Sequence, residues 1–138
     1  MSGRPNFLLF ITDQHRADHL GCYGYELDTS PVLDRLAEES ALFEANSTQC
    51  NSTFPSITSI MTGLYPKTHR NYVPVPLEGT TVANTGTQSW AERMKSVGYH
   101  ALAAVSHPVW TSEEVNTAVR RAWDEFSTIP AELPRSER

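Results

Sequence analysis

A run of five apolar residues, Phe7-Leu8-Leu9-Phe10-Ile11, places the strongest constraint on how this chain can fold. Polar residues bound the run, and Asp13 follows two positions after its end. A short, continuous apolar run of this kind is typical of a strand that is covered on both faces, as in a parallel sheet. Such a strand needs helices on both sides of its sheet. The chain is therefore predicted to have an α/β fold with a mostly parallel sheet and flanking helices.

The rest of the sequence alternates between strand and helix patterns. Ser30-Pro31 and the candidate caps Thr87 and Ser112 mark helix starts, and Gly63 and Gly98 mark helix ends. We expect the first and third strands to pair in parallel, and residues 129–138 to form a disordered tail. Three strands are few for this architecture, so the chain resembles the first part of a larger sheet. The predicted strands are residues 7–11, 41–45 and 99–105, and the predicted helices are residues 31–40, 53–63, 88–97 and 112–122.

Composition excludes several classes of protein. The 138 residues include 11 basic and 16 acidic side chains, a formal charge of −5, which argues against nucleic-acid binding. The longest apolar run near the N-terminus is far shorter than the ~20 residues that a membrane helix needs, so no membrane partner is expected. It also lacks the features of a secretory signal, which predicts a cytoplasmic location. Two cysteines are too few for a disulfide scaffold.

Asp13 is the first candidate for a functional residue. Ligands of open α/β sheets bind beyond the carboxyl ends of the strands, which is where Asp13 is predicted to lie. A carboxylate held there suits a hard divalent cation. The alternative is that Asp13 only caps a local turn.

Thr53 is the second candidate, because it lies at the start of a predicted helix. Backbone N–H groups and the helix dipole favour an anion at that point, and a hydroxyl there could approach a bound phosphate or sulfate ester. Threonine needs activation by a base or a metal before it can attack. The alternative is that Thr53 is only a helix cap.

Histidines at two places in the chain are further candidates for the same site. His15 and His19 lie four residues apart, a metal-binding spacing on a helix, but their segment is predicted to be a loop. His107 follows the third predicted strand at the ligand-binding edge of the sheet and could contact an anion.

Six segments together carry a resemblance to a known family. The first of them contains both the apolar run and Asp13. With these segments the chain resembles the sulfatase family of the alkaline-phosphatase-like superfamily over residues 5–127. Residues 1–128 are accordingly interpreted as the N-terminal part of a sulfatase-like domain. The segments are residues 6–18, 20–24, 30–37, 59–66, 98–99 and 123–126.

This resemblance implies metal-dependent hydrolysis of a small anionic sulfate or phosphate ester. The implied cofactor is a divalent metal ion such as calcium, zinc or manganese. Asp13 matches the first metal ligand of the family, and Gln14 stands where many members have a second aspartate. Thr53 stands at the position of the nucleophile, which also binds the metal. His69 falls near a histidine at the rim of the family's site, where it would contact substrate unless it lies on a surface turn.

The nucleophile segment departs from the sulfatase pattern. In sulfatases a cysteine or serine is converted to formylglycine within Cys-x-Pro-Ser-Arg, whereas this chain has Thr53 at that position and Ile57 in place of the arginine. Oxidation of threonine at its β-carbon would give a ketone and not an aldehyde. Thr-Phe-Pro instead resembles the nucleotide pyrophosphatase/phosphodiesterase relatives, in which threonine attacks phosphorus directly. The resemblance therefore favours cleavage of phosphodiesters or phosphonate esters.

The family's remaining metal ligands, an aspartate-histidine pair, lie far downstream of the segments matched here. The expected partner is therefore a C-terminal portion that supplies them. The alternative is a truncated or degenerate, non-catalytic fragment that needs such a portion.

Overall fold

The computed structural model describes residues 3–72, 87–106, 120 and 122–129. The chain divides into two compact units, of which the first ends at Ser47 and the second begins at Thr48. Among the described residues, the first unit contains two 3-10 helices and an α-helix, and the second contains α-helices and a two-stranded parallel sheet. This arrangement confirms the predicted α/β class with a parallel sheet and flanking helices.

The first unit begins its regular structure with the 3-10 helices Ala17–His19 and Gly21–Tyr23. The helix α1 follows and spans Pro31–Glu38. Proline at the first helical position has a fixed φ that suits a helix and lacks an N–H that would have no helical partner. This confirms the helix predicted at residues 31–40, which ends two residues earlier than expected.

A network of hydrogen bonds ties α1 to the loop before it. The buried Ser30 hydroxyl accepts the Gly21 N–H at 3.0 Å and donates to the Asp34 carboxylate at 3.0 Å. The Cys22 N–H donates to the same carboxylate at 2.8 Å. A Cβ atom at residue 21 would lie 2.5 Å from an Asp34 oxygen, so this close approach requires glycine.

Residues 7–11 form no strand, contrary to the prediction. All five side chains are exposed, from 41% for Ile11 to 93% for Leu8. A strand forms only where a neighbouring strand pairs with its backbone groups, and an apolar pattern does not specify that neighbour. The strand predicted at residues 41–45 is also wrong, because that segment is irregular and ends in a turn.

The second unit contains α2, which spans Thr53–Thr62 and confirms the helix predicted at residues 53–63. Gly63 ends the helix in the left-handed region at φ 71°, and its N–H donates to the Ser59 carbonyl. The short helix α3 spans Pro66–His69 and packs against α2. The buried residues of α2 are Phe54, Pro55, Thr58 and Ser59.

The helix α4 spans Trp90–Ser96 and begins with a complete capping box. The Ser89 hydroxyl accepts the Glu92 N–H at 3.3 Å, while the Glu92 carboxylate accepts the Ser89 N–H at 2.7 Å. These bonds satisfy two donors that a helix start leaves unpaired. The helix predicted at residues 88–97 is thus confirmed, but the predicted cap at Thr87 is wrong because Ser89 occupies the cap position.

The sheet consists of β1, Leu102–Val105, and β2, Glu125–Thr128, which pair in parallel. In this register Leu102 lies opposite Glu125, and Val105 lies opposite Thr128. The strand predicted at residues 99–105 is confirmed over its last four positions, but its partner is β2. The predicted pairing with residues 7–11 is therefore wrong.

Asp124 joins the residues that immediately precede the two strands. Its carboxylate accepts the Ala101 N–H at 2.8 Å, and its own N–H donates to the Ala101 carbonyl at 2.8 Å. The carboxylate also lies 3.1 Å from Lys95 Nζ at the end of α4. The hydrogen bond from Ala101, and then Lys95, lower the pKa of Asp124 below its ordinary value.

Two tryptophans connect α4 to the segment that precedes β2. The rings of Trp90 and Trp123 meet edge to face with centroids 5.7 Å apart. The fully or nearly fully buried apolar residues of the described chain all lie in the second unit. They are Phe54, Pro55, Ala91 and Ala101.

Several predictions lie outside the described residues. The helix predicted at residues 112–122 is described only at two of its positions, and the tail predicted at residues 129–138 only at Ile129. His107 also lies outside the described residues. In the part of the chain that the structure describes, no helix has the length and apolarity needed to cross a membrane.

The capping box of α4 should contribute measurably to stability. We expect Ser89→Ala to lower the free energy of unfolding of the second unit by about 1 kcal/mol, because the Glu92 N–H loses its acceptor. The matched control is Ser96→Ala in the exposed last turn of the same helix, which should change stability by less than about 0.5 kcal/mol. Urea unfolding followed by circular dichroism measures both, and equal effects would contradict the capping role.

Candidate functional site

Thr53 is the first residue of α2, and it is partly buried. The cap position belongs to Ser52, whose extended backbone (φ −116°, ψ 139°) precedes the helix. The alternative that Thr53 only caps the helix is therefore wrong. Thr53 lies at the helix end where the aligned peptide dipoles create partial positive charge, which favours an anionic group.

Hydroxyl groups surround the first turn of α2. The hydroxyls of Thr48 and Ser56 are 2.9 Å apart, and Thr48 also donates to the Cys50 carbonyl at 2.8 Å. Ser56 lies three residues after Thr53, so the two share one face of the helix. The segment before α2 is thus fastened to the same turn that carries Thr53, and this turn presents polar groups.

The buried face of α2 is held by residues at the end of α3 and just after it. Thr58 is fully buried, donates to the Phe54 carbonyl at 2.8 Å and accepts the Asn71 side-chain amide at 3.5 Å. Ser59 lies 3.0 Å from Nε2 of His69, and the Asn71 N–H donates to Nδ1 of the same ring at 3.1 Å. These bonds join α2 to α3 through the buried residues of α2 that follow its first turn.

His69 is 3% exposed, so the alternative that it lies on a surface turn is wrong. Burial lowers the pKa of the His69 imidazole, against hydrogen bonds of the Pro55 and His69 backbones that raise it. Both ring nitrogens have hydrogen-bond partners in the protein. Substrate contact through His69, and through His107, stays a prediction.

A shallow depression of about 200 Å³ opens at the C-terminal end of α2. Among the described residues that line it, Gln49 precedes α2 and the others lie in its second half or just after it, and Thr53 is not one of them. Its lining residues are Gln49, Ser59, Gly63, Leu64 and Tyr65.

Asp13 and Gln14 lie in the first unit, and both are exposed. Gln14 adopts the left-handed conformation with φ 55°, which is uncommon for a residue other than glycine. The backbone bends at Asp13 and Gln14. Thr53 belongs to the second unit, so the metal site that these three residues were predicted to share stays a prediction.

Pattern analysis of the sequence missed the partnership of Ser59 and His69. The two residues are ten positions apart and meet only because α3 folds back on α2. A serine on the apolar side of a predicted helix was the only available signal. The capping box Ser89-x-x-Glu92 was also missed, although its spacing is readable from sequence.

A model of the sulfatase family matches residues 5–128, which is most of the chain. The chain belongs to the sulfatase family. The match includes the segment that leads to Asp13 and the whole of α2, so both units carry family sequence. The resemblance found in the six segments is confirmed at the level of the family.

Curated relatives agree with this assignment. The chain is 31% identical over 99 residues to an N-acetylgalactosamine-6-O-sulfatase of Bacteroides thetaiotaomicron, which covers 71% of this chain and 19% of the relative. It is 45% identical over 67 residues to the iduronate 2-sulfatase of Homo sapiens, and this match covers 49% of this chain and 12% of the relative. It is 29% identical over 122 residues to the multifunctional alkaline phosphatase superfamily protein PehA of Trinickia caryophylli, covering 85% and 23%.

The chain thus spans between 12% and 23% of the length of these three relatives. No solved structure matches it.

Sulfatase-family proteins are generally dependent on a divalent metal, which needs donor groups from the protein. The Asp13 carboxylate and the Gln14 amide offer the oxygen donors that hard cations prefer. Calcium takes six to eight such ligands, and magnesium takes six. Among the described residues, no group of three or more His, Cys, Asp or Glu side chains could hold a metal ion. The donor atoms of Asp13 and Gln14 therefore suit such a metal ion in chemical type, but the described residues bring too few of them together to hold it.

Proposed function

We propose that this sulfatase-family chain is part of a metal-dependent hydrolase of small anionic esters, with Thr53 as its nucleophile. One observation carries the proposal: Thr53 is the first residue of a ten-residue helix within the segment that matches the family. A hydroxyl at that point would meet an anionic ester where the positive end of the helix dipole attracts it. The N-terminal turn of α2 is then both the anion site and the source of the attacking oxygen.

The side chain at position 53 decides between two kinds of ester chemistry. Formylglycine is an aldehyde whose hydrate attacks sulfur, and threonine cannot form it because oxidation of its secondary alcohol gives a ketone. Ile57 also replaces the arginine of the Cys-x-Pro-Ser-Arg pattern. An unmodified hydroxyl suits direct attack on phosphorus, so we propose that phosphodiesters or phosphonate esters are preferred over sulfate esters.

The bond changes follow from that choice. Thr53 Oγ forms a bond to phosphorus, and the bond to the leaving oxygen breaks as its electron pair departs with the alcohol. The proton of the Thr53 hydroxyl is lost as the oxygen attacks, and the leaving alcohol gains one from solvent. Water then attacks the phosphoryl-threonine, which restores the Thr53 hydroxyl and releases the second product.

A divalent ion such as calcium, zinc or manganese would supply charge neutralisation for the ester oxygens and a lower pKa for the hydroxyl. On the residues of this chain, Asp13, Gln14 and Thr53 would hold it, with further ligands from a C-terminal portion. We also propose that the ester contacts His69 and His107. The family resemblance supports the contact with His69. The predicted place of His107 at the ligand-binding edge of the sheet supports the other.

The non-catalytic alternative has one observation in its favour. The side chains of residues 7–11 are exposed although their pattern predicts burial on both faces, as expected for a segment that needs further protein to cover it. A C-terminal portion supplied by a separate chain would then be needed for folding as well as for metal ligands.

Removal of the Thr53 hydroxyl should abolish turnover. We expect Thr53→Ala to lower the rate of aryl phosphodiester hydrolysis about a thousandfold or more, because no other group replaces the attacking oxygen. Thr53→Ser should retain part of the rate, since it keeps the hydroxyl. Rates are measured with added calcium, zinc or manganese, for the chain alone and with a separately produced C-terminal portion of a sulfatase-family protein.

The matched control is Thr68→Ala, an exposed threonine in α3, which should keep the full rate. An unchanged rate for Thr53→Ala would refute the nucleophile assignment. A strong preference for aryl sulfates with Thr53 unmodified would refute the phosphodiesterase proposal alone. No turnover by the unsubstituted protein in either arrangement would support the non-catalytic alternative.

Loss of the Asp13 carboxylate should weaken metal binding. We expect Asp13→Ala to raise the dissociation constant for the metal about tenfold or more, because a direct anionic ligand is removed. The control is Asp28→Ala, which removes an exposed carboxylate from the same unit and should leave the constant unchanged. Isothermal titration calorimetry of the reconstituted protein compares them, and equal effects of the two variants would exclude Asp13 as a ligand.

A further inference from the structure

Three residues form a buried polar cluster where α3 meets α2. Ser59 is 5% exposed, and His69 and Asn71 are each 3% exposed. Buried polar groups are stable only when they are hydrogen-bonded, and here each one has a partner within the cluster. The cluster therefore depends on how protons are distributed over the one titratable side chain, His69.

The backbone determines which imidazole nitrogen carries the proton. The Asn71 N–H can only donate, so Nδ1 of His69 must accept it with a lone pair. In the neutral ring the proton is then on Nε2, and it is donated to the Ser59 hydroxyl at 3.0 Å. A second proton could bind only at Nδ1, and it would displace the Asn71 N–H.

The helices on either side of the ring offer no carboxylate to offset a positive charge, and the hydrogen bonds of the Pro55 and His69 backbones offset the effect of burial only in part. The whole of α2 lacks ionisable acids and bases, and α3 and its cap residue contribute only the cations Lys67 and Arg70, both exposed. An imidazolium buried between these helices would lose hydration without gaining a carboxylate. Protonation is therefore expected to open the cluster and expose the ring.

We propose that Ser59, His69 and the Asn71 backbone form a pH-sensitive latch, closed while the imidazole is neutral and opened by its protonation. The latch joins α3 to the helix that begins at Thr53, so its opening loosens the support of that helix. The proposal does not depend on which ester, if any, the protein hydrolyses. While the latch is closed both ring nitrogens are occupied, so any substrate contact by His69 requires the open form.

The direction of the pH effect follows from proton linkage. Burial lowers the pKa of His69 in the closed form, so the open form binds the proton more tightly. The closed latch keeps its full stability above the ordinary histidine pKa of about 6.5. Its stability falls as the pH drops below that value, until the lowered pKa of the closed form is reached.

Nuclear magnetic resonance on the intact chain tests the latch through two readouts. Long-range proton–nitrogen correlations at about pH 8 should show His69 as the neutral tautomer with its proton on Nε2. Hydrogen exchange of the Asn71 amide, corrected for its intrinsic rate, should show protection that decreases by up to about tenfold per pH unit below about pH 6.5. A proton on Nδ1 at about pH 8, or protection that is constant down to about pH 5, would overturn the proposal.

Two variants separate the latch from general acid sensitivity. His69→Gln should abolish the pH step in the protection of α2 amides, whereas His15→Gln, which removes an exposed histidine of the first unit, should keep it. A pH step retained in His69→Gln would also overturn the proposal. If His69→Gln does not fold, the tautomer and the Asn71 protection of the unsubstituted chain still decide the question.

Discussion

The packing of α2 against α3 is the interaction on which the rest of the candidate site depends. It places Phe54 and Thr58 at the centre of the second unit, with neither side chain accessible to solvent. Because the same helix begins at Thr53, the position of that residue depends on the contacts of the buried face of the helix. The catalytic proposal therefore rests on a packing arrangement of apolar and uncharged polar groups, and among the described buried residues of α2 and α3 only His69 is titratable.

The bounds of α2 could be predicted from sequence because the signals are local. Pro55 suits the first turn, and Gly63 accepts the left-handed conformation at the end of the helix. The capping box of α4 is an equally local signal. It places the cap at Ser89 and not at Thr87. In these helices the information lies within four residues of each boundary.

Of the sheet, only its type could be predicted from sequence, namely a parallel sheet with flanking helices, and not the strands that pair in it. Residues 7–11 have the pattern of a buried strand, but a strand also needs a partner, which can lie anywhere along the chain. The actual pair joins β1 to a segment after Asp124, whose carboxylate accepts the Ala101 N–H. The bond between Ser59 and His69 was unpredictable for the same reason, because the fold and not the spacing brings the two side chains together.

Membership of the sulfatase family leaves the chemistry of position 53 open, because the relatives that the chain matches include both sulfatases and an alkaline phosphatase superfamily protein. The most direct test of the central claim is to trap the covalent intermediate. An acid quench during turnover of an aryl phosphodiester, followed by peptide mass spectrometry, should find the phosphoryl group on Thr53. A phosphoryl group on another residue, or turnover with no adduct on Thr53 at any quench time, would contradict the account.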